Sequence, residues 1–221
     1  MSLFNPNLYP ITSAIAFINE SPEIIVAELI KWQTPLIEKY RNTLSSAKIN
    51  KDFTNTLLSL CPLTTAEIRK YLLIPINSEW TAFFDNGHTG TDSTAPKVLG
   101  RKLNKRMIYI SNSKSLEENT FSYYDVKNNE YELIRSIAVI KESKWEFHQY
   151  GKIFDFENTD NFKSRIIKNR FTNEMVIEYL NHFGINLDKF NFCNSIIVSK
   201  IGPKFEQTKE LSLEEAQIFF R

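Results

Sequence analysis

The sequence predicts an α+β fold in which a mostly antiparallel sheet, a meander in its middle, is covered by helices from the N-terminal and C-terminal parts of the chain. Three observations lead there. Helical patterns come first and last, around a block of clustered strands. The connections between successive strands are short, as antiparallel neighbours permit. Strands and helices also fail to alternate strictly, which a doubly wound parallel sheet would require.

The elements follow in chain order. In "ESPEIIVAELIKWQ", Ser21 stands as a helix cap and Pro22 at the first helical position. Ile25, Leu29 and Trp32 then recur at helical spacing, Leu36 extends the stripe, and Pro35 predicts a kink or break. "FTNTLLSLCPLTTAEIRKYLLIPI" is ambiguous: Thr64 and Glu67 have the spacing of a capping box, whereas residues 71–76 read as a short buried strand. "WTAFFD" follows after the connection "NSE" and suits a hairpin with that strand. "STAPKVLGRKLN" reads as a helix with Pro96 in its first turn and Val98, Leu99 and Leu103 on one face, and "RMIYIS" as the next strand. An antiparallel meander comes next: "FSYYDV", a turn at Asn128 and Asn129, "YELIRSIAVI" with Tyr131, Leu133, Ile137 and Val139 alternating, then "KWEFHQY". "TNEMVIEYLNHFG" is a helix capped by Thr172, striped by Val176, Tyr179, Leu180 and Phe183, and stopped by Gly184. "NSIIVSK" is a late strand, and "LSLEEAQIFF" closes the chain behind a capping box of Ser212 and Glu215. Without repeats or low-complexity tracts, residues 1–221 are expected to form a single α+β domain.

The 42% hydrophobic and 13% aromatic content suffices for a substantial core. A net charge of +1, from 27 basic and 26 acidic residues, gives no overall field toward nucleic acid or an anionic membrane. No apolar run approaches the roughly 20 residues of a membrane span. The first residues lack a basic leader and carry Pro6, Pro10 and Glu20, so they do not read as a signal peptide, and a cytoplasmic protein is expected. Cys61 and Cys193, far apart in sequence, are expected as buried reduced thiols.

The densest chemistry lies in "SEWTAFFDNGHTGTD". Its glycines permit positive φ and Asn86-Gly87 signals a turn, so a structural corner is the first expectation. A phosphate site at the following helix start lacks the GK[ST] ending and would be repelled by Asp85 and Asp92. A cation held by Asp85, Asn86 and Asp92 departs from the EF-hand spacing. His88 pairs with no nucleophile motif. Glu146, His148 and Tyr150 share one strand face, and His182 sits at a helix end where a cation favours the dipole. Basic residues gather at Lys97, Arg101, Lys102, Lys105 and Arg106, and again at Lys163, Arg165, Lys168 and Arg170 beside Phe162 and Phe171. No RNA-binding signature accompanies them, and nucleic acid is not the expected partner. No catalytic set, metal-ligand set or cofactor loop emerges. The candidates for contact with a partner or ligand are Trp80, Asp85, Asn86, His88, Asp92, Tyr123 and Tyr124. Tyr123 and Tyr124 would serve as aromatic anchors unless they pair across the hairpin.

Residues 57–92 resemble a group of uncharacterised bacterial proteins that carry W-T-A-aromatic-F-D-N-G, a second glycine and T-D. The match rests on Trp80, Thr81, Ala82, Phe84, Asp85, Asn86, Gly87, Gly90, Thr91 and Asp92, within about one sixth of the chain. The resemblance implies no catalytic role. Small α+β proteins without catalytic motifs are frequent among immunity proteins of bacterial toxin systems, and the resulting expectation is a module that blocks a toxin by direct binding. Local charge clusters of both signs, including Glu117 and Glu118, suit steering toward such a partner. The alternative is a small metal- or nucleotide-dependent enzyme using Asp85, His88 and Asp92.

Overall fold

In the computed structural model, residues 6–66, 68–113, 118–127, 130–190 and 192–219 are described. The strands are Ala14–Ile18 (β1), Thr43–Ile49 (β2), Leu63–Thr64 (β3), Lys70–Pro75 (β4), Thr81–Asp85 (β5), Met107–Ser111 (β6), Asn119–Lys127 (β7), Glu130–Lys141 (β8), Trp145–Gly151 (β9), Ser195–Ile201 (β10) and Glu210–Leu211 (β11). The helices are Pro22–Tyr40 (α1), Phe53–Leu58 (α2), Thr94–Leu103 (α3), Asn173–His182 (α4) and Leu213–Phe219 (α5). Nine strands form one sheet in the order β2-β10-β4-β5-β1-β6-β7-β8-β9, every neighbour antiparallel, and β11 pairs with β3 in a separate ribbon. The predicted α+β class and the meander hold, with β6 to β9 adjacent in chain order.

Successive strand residues point to opposite faces, so each buried strand feeds two cores. On one face, Ala16, Ile18, Leu73, Phe83, Met107 and Val198 pack under Ile25 and Leu29 of α1 and Leu99 of α3. On the other, Phe17, Leu72, Phe84, Ile110, Phe121 and Ile137 pack against Leu57 of α2, Val176 and Tyr179 of α4 and Ala216 of α5. The central strand β1, "AIAFI", is buried on both sides.

Several expectations are corrected. Helix α1 does not break at Pro35 but continues to Tyr40. A proline leaves the carbonyl four residues back without its amide; here that carbonyl belongs to solvent-exposed Lys31, where water can meet it. Thr64 opens no helix: its amide donates to the Asn86 carbonyl at 2.7 Å and it pairs with Glu210 in the ribbon, while Glu67 lies outside the described residues. Cys193 is exposed and Cys61 half-buried, rather than both buried, because Cys193 sits in the surface turn leading into β10; neither forms a disulfide. The supposed single stripe of Tyr131, Leu133, Ile137 and Val139 is split between the two faces. A β-bulge causes this: Tyr123 pairs with Arg135 and Tyr124 with Leu133, leaving Ile134 as an extra residue on β8. The turn expected at Asn128 and Asn129 lies outside the described residues.

The predicted Ser212 capping box is present, with Glu215 N–H donating to Ser212 Oγ at 3.1 Å and Ser212 N–H to Glu215 Oε2 at 2.7 Å. Ser21 and Thr172 stand at the starts of α1 and α4 but make no side-chain cap bond.

Candidate functional site: an open sheet face and its flanking groove

The corner 85–92 connects β5 to α3. Asp85 is fully buried, and its carboxylate accepts the Gly87 amide at 2.8 Å and the Asp92 amide at 2.9 Å. Burial outweighs those two bonds and lifts the Asp85 carboxyl to about 7. Asn86, 1% exposed, accepts from the Arg69 and Lys70 amides and donates to the Pro62 carbonyl at 2.8 Å, tying β5 to the chain before β4. His88 Nδ1 lies 3.1 Å from the Thr64 carbonyl, and Asp92 Oδ1 accepts the Thr94 amide at 2.6 Å where α3 begins. Gly90 has φ +96°, and a Cβ there would meet Ser13 Oγ at 2.3 Å.

The side chains of Asp85, His88 and Asp92 therefore each bond to local backbone and do not converge on a shared ligand position. Among the described residues, no group of three or more His, Cys, Asp and Glu side chains is placed to hold a metal. Trp80 is also buried, under the Arg106 guanidinium 5.6 Å from its ring centre. Trp80, Asp85 and Asn86 shape the interior, whereas the candidates His88 and Asp92 reach solvent.

Strand alternation sends the neighbours Tyr123 and Tyr124 to opposite sides, and the bulge on β8 brings Tyr131 and Leu133 to the Tyr124 side. Tyr123 is 6% exposed, stacks on Phe183 at 4.9 Å and donates to Asp125 Oδ2 at 2.7 Å. Its hydroxyl pKa is raised by burial and then by Asp125. Tyr124 stays half-buried and stacks on Tyr131 across the β7–β8 hairpin, with centroids 6.1 Å apart. These two rings, with Leu133, form one side of a groove of about 280 Å³; Thr94, Lys97, Val98 and Arg101 of α3 form the other. The Lys97 ammonium lies 5.1 Å above the Tyr124 ring.

The basic run of α3 is divided by this geometry. Lys102 faces Glu28 at 3.8 Å, Lys105 pairs with Glu20 at 3.1 Å, and Arg106 donates to Asn19 Oδ1 at 3.0 Å, so these three anchor the end of α3 to its neighbours. Lys97 and Arg101, one helical turn apart, point at the groove. Among the described residues neither makes an ion pair, and sequence spacing alone could not separate them from the other three. The second basic cluster offers no stacking surface: Phe162 and Phe171 are buried, Lys163 pairs with Asp160 at 2.8 Å, and Arg170 lies over Phe147.

Beyond the groove, the face that α1 and α3 cover over β10, β4, β5, β1 and β6 continues onto β7, β8 and β9 with a different composition. Ser122, Ser136 and Ala138 lie there half-buried, their side chains small, and Ser122 Oγ is 3.1 Å from Ser136 Oγ. Glu146, His148 and Tyr150 form its outer row, all exposed, with His148 Nε2 3.2 Å from Glu146 Oε2. His182 is on the opposite side of the sheet, at the end of α4, stacked on Phe156 at 4.2 Å. The opposite face of β7–β9 carries core residues, Phe121, Ile137 and Val139 among them.

Among the described residues, no helix is long and apolar enough to cross a membrane. Comparison with family models, with curated proteins and with solved structures gave no match.

Proposed function

We propose that this chain is a protein-binding module acting in the cytoplasm, and that its partner is a toxin it neutralises by direct binding. The observation that carries the proposal is the asymmetric sheet: one side of β7–β9 packs into the core, while the other presents small side chains edged by exposed Glu146, His148 and Tyr150. A face of small residues lets a partner's backbone approach closely, and an exposed tyrosine beside it supplies the anchoring area typical of interfaces. The groove at its border adds two cations that attract an acidic partner surface. Two cysteines without a disulfide fit a reducing compartment. The resemblance of residues 57–92 to bacterial proteins, with no convergent catalytic set in the corner, favours immunity over enzymatic activity.

The test is a rescue assay with the product of the neighbouring reading frame, paired with a binding measurement. Co-expression should restore growth, and Ala138→Glu, which places a charge in the centre of the open face, should abolish both binding and rescue while leaving the melting temperature nearly unchanged. A neighbour that encodes no toxin-like domain, together with no partner captured at micromolar concentration, would overturn the reading.

A further inference from the structure

We infer that the groove between α3 and the β7–β8 hairpin is a subsite for one acidic side chain and its apolar neighbour in the sequence of the bound protein. The inference rests on the protein-binding reading and specifies what this part of the face recognises. Three features lead to it.

The first is charge. Of the five basic residues between Lys97 and Arg106, those that close onto α1 and β1 already meet oxygen partners. Lys97 and Arg101 remain as a pair of cations on the groove wall, and Lys97 is held in place over Tyr124. Cations fixed beside low-dielectric aromatic surface gain more from an incoming carboxylate than cations free in water.

The second is the apolar lining. Val98, Leu133 and the faces of Tyr124 and Tyr131 flank the cations. Tyr131 packs so closely on α3 that a Cβ at Gly100 would lie 2.3 Å from its hydroxyl, and burial raises its pKa. The ligand therefore needs an apolar or aromatic group next to its anion.

The third is size. A volume of about 280 Å³ lies just below the range usual for cofactor and drug-sized ligands and matches one or two side chains. A phosphate group is also disfavoured. The first-turn amide of Thr94, which would otherwise face an anion, is already taken by Asp92 Oδ1, and the Asp92 carboxylate repels a dianionic phosphate more strongly than a singly charged carboxylate.

The probes for the test are N-acetyl-glutamyl-phenylalanine amide, its lysyl counterpart, 3-phenylpropionate and inorganic phosphate, each titrated into the isotope-labelled full chain and followed by NMR. The acidic dipeptide should shift resonances of Lys97, Arg101, Tyr124 and Leu133 with a Kd in the millimolar range. The lysyl dipeptide should bind at least about tenfold more weakly, since reversing one charge beside two cations costs on the order of 1.4 kcal/mol. Arg101→Glu should weaken the acidic dipeptide by a similar factor, and Lys168→Glu, the same charge change at a site lining no part of the groove, should leave it unchanged. Equal binding of both dipeptides, or shifts mapping elsewhere, would overturn the inference. So would phosphate or 3-phenylpropionate binding more tightly than the acidic dipeptide, which would make the groove a small-anion site. Loss of this subsite would leave the open-face reading standing if rescue still fails in Ala138→Glu; failure of rescue altogether would remove the partner but not the dipeptide result.

Discussion

Arg135 and Glu157 form a two-pronged ion pair inside the protein, with Nε to Oε1 at 2.9 Å and Nη2 to Oε2 at 2.6 Å, and with side chains 1% and 0% exposed. Arg135 also donates from Nη1 to the Tyr150 and Gly151 carbonyls and from Nη2 to Gln149 Oε1, while Glu157 Oε1 accepts the Phe154 amide at 3.0 Å. The pair ties β8, the end of β9 and the following loop into one unit. That unit backs the open face.

Removing either partner strands the other charge in the interior. Glu157→Gln and Arg135→Met should each cost about 3–5 kcal/mol in urea denaturation, because an unpaired buried charge is not rehydrated. Replacing both by leucine should cost clearly less than the sum of the single changes. Additive losses would show that the pair does not act as a unit.

Asp85 makes stability fall with rising pH. Its folded pKa of about 7 lies above the ordinary carboxyl value, so between roughly pH 4 and 7 the folded state holds the proton that the unfolded state has released. Its contribution is fully present below pH 4, shrinks through neutrality and is flat above. Asp85→Asn cannot titrate, so the variant should lose this slope, which integrates to on the order of 4 kcal/mol. Urea midpoints of both proteins at pH 4.5 and pH 8 check it; parallel changes in the two would contradict the assignment.

Two glycines of positive φ should respond differently to alanine. Gly151, at φ +86°, would place a Cβ 1.9 Å from the Ile134 carbonyl of the bulge, whereas at Gly184, at φ +75°, nothing lies within 4 Å. Gly184→Ala should cost only the left-handed penalty of about 1 kcal/mol. Gly151→Ala adds a backbone clash, and should lower the melting temperature considerably further and shift the NMR signals of β8 and β9.

The caps separate in the same way. Ser212→Ala removes a bond accepted from the Glu215 amide and should cost about 1 kcal/mol, seen as faster amide exchange at the start of α5. Ser21→Ala should be nearly neutral, because Ser21 makes no side-chain cap bond and Glu20 Oε1 accepts its amide at 2.8 Å instead.

Signals whose physics is confined to a few neighbouring residues were legible from the chain alone. Ser212 and Glu215 are three apart and complete each other; Pro22 starts α1; the short links of the meander dictate antiparallel pairing. The α+β class follows from these. Strands β1 and β2 escaped the same reading. "AIAFI" is buried on both faces and so shows no alternation, and "TLSSAKI" is a largely exposed edge strand that pairs in the sheet with β10, which begins at Ser195.

The candidate face depended on long-range placement still more. Tyr124 and Lys97 stand out in the sequence as an aromatic and a base, but only the bulge on β8 decides that Tyr131 and Leu133 join Tyr124 on the face toward α3. Which bases in and just after α3 stay uncompensated depends on where Glu28 and Glu20 come to lie, 74 and 85 residues before Lys102 and Lys105 in the chain. Composition and local spacing set the elements, because hydrogen bonding and side-chain periodicity act over a few residues. Burial of Asp85, pairing of Arg135 and exposure of the β7–β9 face are properties of neighbours brought together by folding, and only the packed sheet could assign them.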